Sequence, residues 1–143
     1  MFNIYSGEKG LGAALTNPTE LARKKGCITK QYSVVFRGRT YPDAETAYHA
    51  LKTLSNPDET DAMMIELIGC KFRQHPALFE AVEQKGGADW LTICSHLTGA
   101  KSSEFSTWEG HGLNSRFIRN LVKGYLLAAS SETIGEEPQL SLF

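Results

Sequence analysis

Glu45, His49 and Lys52 follow one another at intervals of four and three residues, a spacing that stacks side chains along one side of a helix. A carboxylate, an imidazole and an ammonium grouped in this way can bind a polar substrate and move protons around it. Cleavage of a sugar C1–nitrogen bond asks for such groups. The sugar takes on oxocarbenium character, so the site needs a carboxylate near C1, hydrogen-bond donors for the leaving group or phosphates, and often an aromatic surface for the base. The same spacing also describes a plain i, i+4 contact on a half-exposed helix face, and periodicity alone leaves both readings open.

The elements that would position these residues can be read from local signals. Pro42-Asp43 opens a helix through about Leu54, with Ala44, Ala47, Tyr48 and Leu51 at i, i+3, i+4 and i+7 as its buried face. Before it, Gln31 to Phe36 is β-branched and aromatic, and Arg37-Gly38 turns it into Arg39-Thr40-Tyr41, a hairpin. Further upstream, Asn17-Pro18-Thr19-Glu20 reads as a turn capping a short helix from near Thr19. A second long helix is predicted from about Glu59 to Phe72, with Met63, Met64, Leu67 and Ile68 inward. A third starts at Pro76, buries Leu78, Phe79, Ala81 and Val82, and stops at Gly86-Gly87. Trp90 to Cys94 reads as a short strand, and Ser95 to Leu113 as a long loop suited to walling a site. The last helix, Asn114 to about Ala129, places Phe117, Ile118, Leu121, Val122, Tyr125 and Leu126 on one side. Together these predict an α+β fold, mainly helical, with a small antiparallel sheet: one domain over residues 1–129 and a flexible tail over 130–143.

Composition narrows the function classes. No apolar run approaches the roughly 20 residues of a membrane span, and the start, Met1 to Gly7, has neither the basic nor the long apolar region of a secretory signal. A cytoplasmic location and no membrane partner are expected. Cys27, Cys70 and Cys94 form no CxxC pair, which suits reduced thiols rather than a disulfide framework or zinc knuckle. His49, His75, His96 and His111 show no metal-ligand spacing, so no metal is expected, and hydrolysis requires no cofactor. The net charge of −1 conceals a basic first third, where residues 1–52 carry eight Lys/Arg against four Asp/Glu. Six dispersed basic residues there, Arg23, Lys24, Lys25, Lys30, Arg37 and Arg39, fit a solvated face better than a duplex-binding surface.

Three segments, in order, resemble motifs of the NADAR superfamily. Tyr41-Pro42-Asp43-Ala44-Glu45-Thr46-Ala47-Tyr48-His49-Ala50-Leu51-Lys52 is similar to its helix with a glutamate preceding an aromatic and a lysine. Lys71-Phe72-Arg73-Gln74-His75-Pro76-Ala77-Leu78 is similar to its Lys-Phe helix followed by His-Pro or Asn-Pro. Trp108-Glu109-Gly110-His111-Gly112-Leu113-Asn114-Ser115-Arg116 resembles its closing Trp-Gly and Gly-rich turn. The resemblance spans roughly residues 30–128 and implies an N-glycosidase such as those acting on phosphorylated riboflavin-pathway intermediates, or a hydrolase removing ADP-ribose from guanine in DNA. It implies Glu45 as catalytic carboxylate, Lys52 as phosphate or structural partner, His49 beside them, and Trp108 as a pocket wall. Glu109 or Glu104 would be the second carboxylate, with Asn114 in the closing turn. The family's Phe-Ser-Asn-Phe region is replaced here by a segment containing Tyr5 and Gly7, whose backbone NH groups could meet an anion. Ser55 to Met64 lacks the tryptophan usual in the family, and Trp-Gly is Trp108-Glu109.

Gln139-Leu140-Ser141-Leu142-Phe143 resembles the bacterial sliding-clamp-binding pentapeptide at every position. In such a peptide the Gln139 amide would bond at the pocket edge while Leu140, Leu142 and Phe143 bury apolar area, with Ser141 between them. Two readings follow: a hydrolase brought to replicating DNA by the clamp, or a non-catalytic protein that occupies the clamp groove or senses a nucleotide and competes with other clamp clients.

Overall fold

A computed structural model describes residues 2–52, 57–99 and 108–134, apart from the side chains of residues 57 and 58. Its described elements, in chain order, are α1 (Leu11–Ala14), α2 (Thr19–Lys24), β1 (Val34–Phe36), β2 (Arg39–Tyr41), α3 (Ala44–Leu51), α4 (Pro57–Gln74), α5 (Pro76–Lys85), α6 (Ala88–Leu91), β3 (Ser95–His96), β4 (Gly110–His111), a 3-10 turn (Gly112–Asn114) and α7 (Arg116–Ala129). The protein is mainly helical α+β, as its sequence predicts, with two small antiparallel pairs, β1–β2 and β3–β4.

The hairpin forms because Arg37 and Gly38 both take positive φ, 52° and 80°, the left-handed pair that matches the twist of two joined strands. Its inner residues, Val34 and Phe36, are fully buried. Gln74, at the end of α4, holds it in place. Its amide donates to the Val35 carbonyl and accepts from the Val35 NH, both at 2.8 Å, which completes the open edge of β1 as a third strand would.

The core is built on α4 and α7. Met63, Met64, Leu67 and Ile68 of α4 are buried against Phe117, Ile118, Leu121 and Tyr125 of α7. The two backbones approach closely at Gly124, where a Cβ would lie 2.4 Å from Ile68 Cγ2. A larger residue would therefore push the helices apart. Leu126 departs from the sequence expectation: at 52 % exposure it lies outside the stripe, although it follows the buried Tyr125 by one residue. Val122, Phe79 and Ala81 are only partly buried.

Residues 90–94 are not a strand. Gly87, at φ 71°, caps a new helical turn, α6, and the buried positions that follow, Leu91 and Cys94, are three apart while Ile93 is 62 % exposed. That is helical spacing rather than alternation. The strand comes later, at Ser95–His96, inside the stretch expected to be loop, and pairs with Gly110–His111. The N-terminus joins the same edge through Ile4 N, which donates to Ser95 O, and Ser95 N, which donates to Phe2 O, both at 2.8 Å. At the other end, the packed chain continues past α7 to Ile134, 1 % exposed and facing Gly69 of α4 and Leu127 of α7.

Asp43 and Lys71 are the polar fasteners of this core, each 3 % exposed. Asp43 Oδ1 accepts from Thr46 N at 2.8 Å and caps α3, while Oδ2 accepts from Glu20 N at 2.9 Å and caps α2. The side-chain cap of α2 thus comes not from the Asn17-Pro18-Thr19-Glu20 turn but from a residue 23 positions further along the chain than Glu20. Lys71 Nζ, from α4, donates to the carbonyls of Ala14 and Thr16, both at 2.6 Å, and binds the N-terminal helices to the core.

Among the described residues no helix is long and apolar enough to cross a membrane, and Cys27, Cys70 and Cys94 are not joined in disulfides.

Candidate functional site

The α3 face predicted from spacing forms as expected. Asp43 caps the helix, Ala44, Ala47 and Tyr48 bury one side, and Glu45 stays at its border. His49 Nε2 donates to Glu45 Oε2 at 2.7 Å, with side-chain exposures of 50 % and 37 %. This is the i, i+4 contact that the spacing predicts. Lys52 extends over the Tyr48 ring, its Nζ 5.6 Å from the centroid.

Tyr48 joins this face to Trp108. The two rings meet edge to face with centroids 6.2 Å apart, and the Arg116 guanidinium lies 4.0 Å from the centroid of the indole. Arg116 is itself held by Asp61 through a 2.8 Å ion pair, and Asn120 Nδ2 donates to the same carboxylate oxygen at 3.1 Å. The Trp108 carbonyl accepts from Ser115 Oγ and from Phe117 N. The indole is thus held at the start of α7, partly buried, with a cation against it.

Glu109 follows Trp108 and precedes β4. Its carboxylate accepts from Thr98 N at 3.0 Å and Thr98 Oγ1 at 2.7 Å, so the two chain segments flanking the β3–β4 pair are joined through it. His96, the last residue of β3, lies within electrostatic reach of both Glu109 and Glu45. The structure therefore brings Glu45, His49, Lys52, Trp108 and Glu109 to one region and adds His96, Thr98 and Arg116. None of the three added residues is marked by local spacing. His96 and Thr98 lie in a stretch that reads as loop, and Arg116 at the turn into α7.

Tyr5, Gly7 and Asn114 are placed differently. The Tyr5 ring lies beneath Lys25, whose Nζ is 5.1 Å from its centroid and donates to Ser6 Oγ at 2.9 Å. Gly7 packs so tightly on that ring that a Cβ would be 2.4 Å from Tyr5 Cε2. Tyr5 N and Glu8 N donate to the carbonyls of Gly12 and Tyr5, so these two NH groups close the segment's own turn instead of facing an anion. Asn114 ends the 3-10 turn in an exposed position. Glu104 and the peptide Gln139, Leu140, Ser141, Leu142 and Phe143 lie outside the described residues.

The site offers two carboxylates, Glu45 and Glu109, a partly buried indole, and two cations, Lys52 and Arg116, set against its aromatic rings. Among the described residues no group of three or more His, Cys, Asp or Glu side chains could hold a metal ion. Comparison of the chain with protein-family models, with curated proteins and with solved structures finds no match in any of the three.

Proposed function

We propose that this chain is a cytoplasmic hydrolase that cleaves the N-glycosidic bond of a nucleotide or of ADP-ribosylated guanine in DNA, and that residues 139–143 recruit it to replicating DNA by binding the bacterial sliding clamp. The observation that carries the reading is the edge-to-face contact of Tyr48 with Trp108, which sets the helix of Glu45 beside the segment that holds Glu109. In this reading Glu45, paired with His49, stabilises the positive charge that develops at C1. Trp108 stacks against the base, Lys52 attracts a phosphate, and Glu109 is the second carboxylate. A base inside a duplex is out of reach of such a site, so the substrate is single-stranded or flipped DNA, or a free nucleotide.

The test is release of ADP-ribose from DNA carrying ADP-ribosylated guanine, with free nucleotides in the same panel, comparing wild type with Glu45→Gln. Turnover by the wild type and a loss of about 100-fold or more in the variant are expected. Equal turnover by both proteins would remove Glu45 from the chemistry, and no turnover of any substrate by the wild type would overturn the enzyme reading.

Clamp binding is checked separately, because it does not depend on Glu45. Phe143→Ala should weaken binding of purified sliding clamp by at least about tenfold, while Glu45→Gln leaves it unchanged. Clamp binding without any turnover is the result expected of the second reading, a non-catalytic competitor of clamp clients.

A further inference from the structure

The structure fixes the proton placement of His96. Its Nδ1 lies 2.7 Å from the Ile4 carbonyl. A carbonyl can only accept, so Nδ1 carries the proton, and in the neutral ring Nε2 keeps the lone pair. The acceptor is itself held, since Ile4 is fully buried and its NH donates to Ser95 O, one residue before His96. The imidazole also packs against Phe117, with centroids 4.5 Å apart and planes 37° apart, which restrains its rotation. Burial holds the imidazole below its ordinary pKa, against the Ile4 carbonyl and the charges of Glu109 and Glu45, which favour the cation. Burial thus favours the neutral ring. Its tautomer is set by the backbone, and two carboxylates are in place to stabilise it once it gains a proton. A general base needs these properties together.

Resting on the hydrolase reading above, we infer that His96 is the general base that activates the attacking water. The water oxygen forms the new bond to C1 as its proton passes to His96 Nε2. The C1–N bond breaks with its electron pair going to the leaving nitrogen, which takes a proton from solvent, and the imidazolium returns its proton to solvent. Glu45 and Glu109 stabilise the imidazolium, and Glu45 also faces the charge at C1. In this division of labour the histidine takes the proton, and the two carboxylates that act on it electrostatically favour its cation.

The variant to test is His96→Asn in the full chain, because the asparagine amide can still donate to the Ile4 carbonyl while offering no base. On a substrate that the wild type turns over, kcat should fall about 100-fold to 10,000-fold, with little change in KM, and the acidic limb of the kcat/KM profile should disappear. A kcat within threefold of wild type, or a fall that leaves the acidic limb in place, overturns the role of His96 while leaving the hydrolase reading intact. Absence of any wild-type turnover overturns both. Should His96→Asn not fold, 15N NMR of the wild-type imidazoles decides instead. The expected result is a neutral, Nδ1-protonated His96 at pH 7 whose titration moves to lower pH in Glu45→Gln. A ring already charged at pH 7, or protonated on Nε2 when neutral, overturns the inference.

Discussion

Asp43→Ala is expected to destabilise the fold by about 2–3 kcal/mol, because one buried carboxylate supplies two helix caps and its loss leaves backbone NH groups without their acceptor. The substitution removes the side-chain caps of α3 and α2 together, each cap alone being worth about 1 kcal/mol. It also removes the negative charge that favours the ammonium of Lys71. Against a total stability of roughly 5–15 kcal/mol for a domain of ordinary size, that loss leaves little margin. Urea denaturation of the two proteins measures it directly, and a loss below about 1 kcal/mol would show that neither the caps nor the charge matters. The deficit should be larger at pH 6 than at pH 9, because at pH 6 Lys71 is charged in the folded protein and attracts Asp43.

Lys71 itself should tilt the stability of the protein with pH. Burial pushes its ammonium from an ordinary value of 10.5 down to about 7, with Asp43 pulling the other way. Between those values the unfolded chain holds a proton that the folded chain has given up, so stability rises with pH across that window. The favourable linkage is fully present above about pH 10.5 and is lost as pH falls through about 7. The slope for one proton is on the order of 1 kcal/mol per pH unit. Denaturation midpoints of wild type and Lys71→Met, compared from pH 6.5 to 10, should diverge in slope, with the variant lacking the rise. Parallel curves would show that Lys71 keeps its proton throughout, held by the carbonyls of Ala14 and Thr16. The two substitutions should not be additive, since each removes one side of the same interaction.

Much of the fold could be read from the sequence wherever a short-range pattern determined the structure. Ala44, Ala47 and Tyr48 of α3, and Met63, Met64, Leu67 and Ile68 of α4, are buried as their spacing predicts, because each helix presents a single face to one core. The hairpin turn was legible in Arg37-Gly38 for the same local reason. Trp90 to Cys94 was misread because five apolar and β-branched residues carry no decisive period. Whether they coil or extend depends on Gly87 restarting a helix and on the N-terminal segment claiming the strand position at Ser95. The candidate site divides in the same way. Glu45 and His49 are four residues apart and visible together, whereas His96 owes its properties to a carbonyl 92 positions away. Asp43 reads as a helix opener, and its second cap belongs to α2. No window of sequence contains such pairings, because chain segments meet them only after folding.

The burial of Ile134 sets a leash length. That side chain faces Gly69 and Leu127 between α4 and α7, so whatever follows it in the chain starts from a fixed point on the helical core. Gln139 is five residues further on, and five residues fully extended reach at most about 17 Å. A partner that grips the peptide at residues 139–143 would therefore hold the whole domain against its own surface, within less than one protein diameter. The domain would move as a tightly moored body, able to reach only what lies close to its mooring.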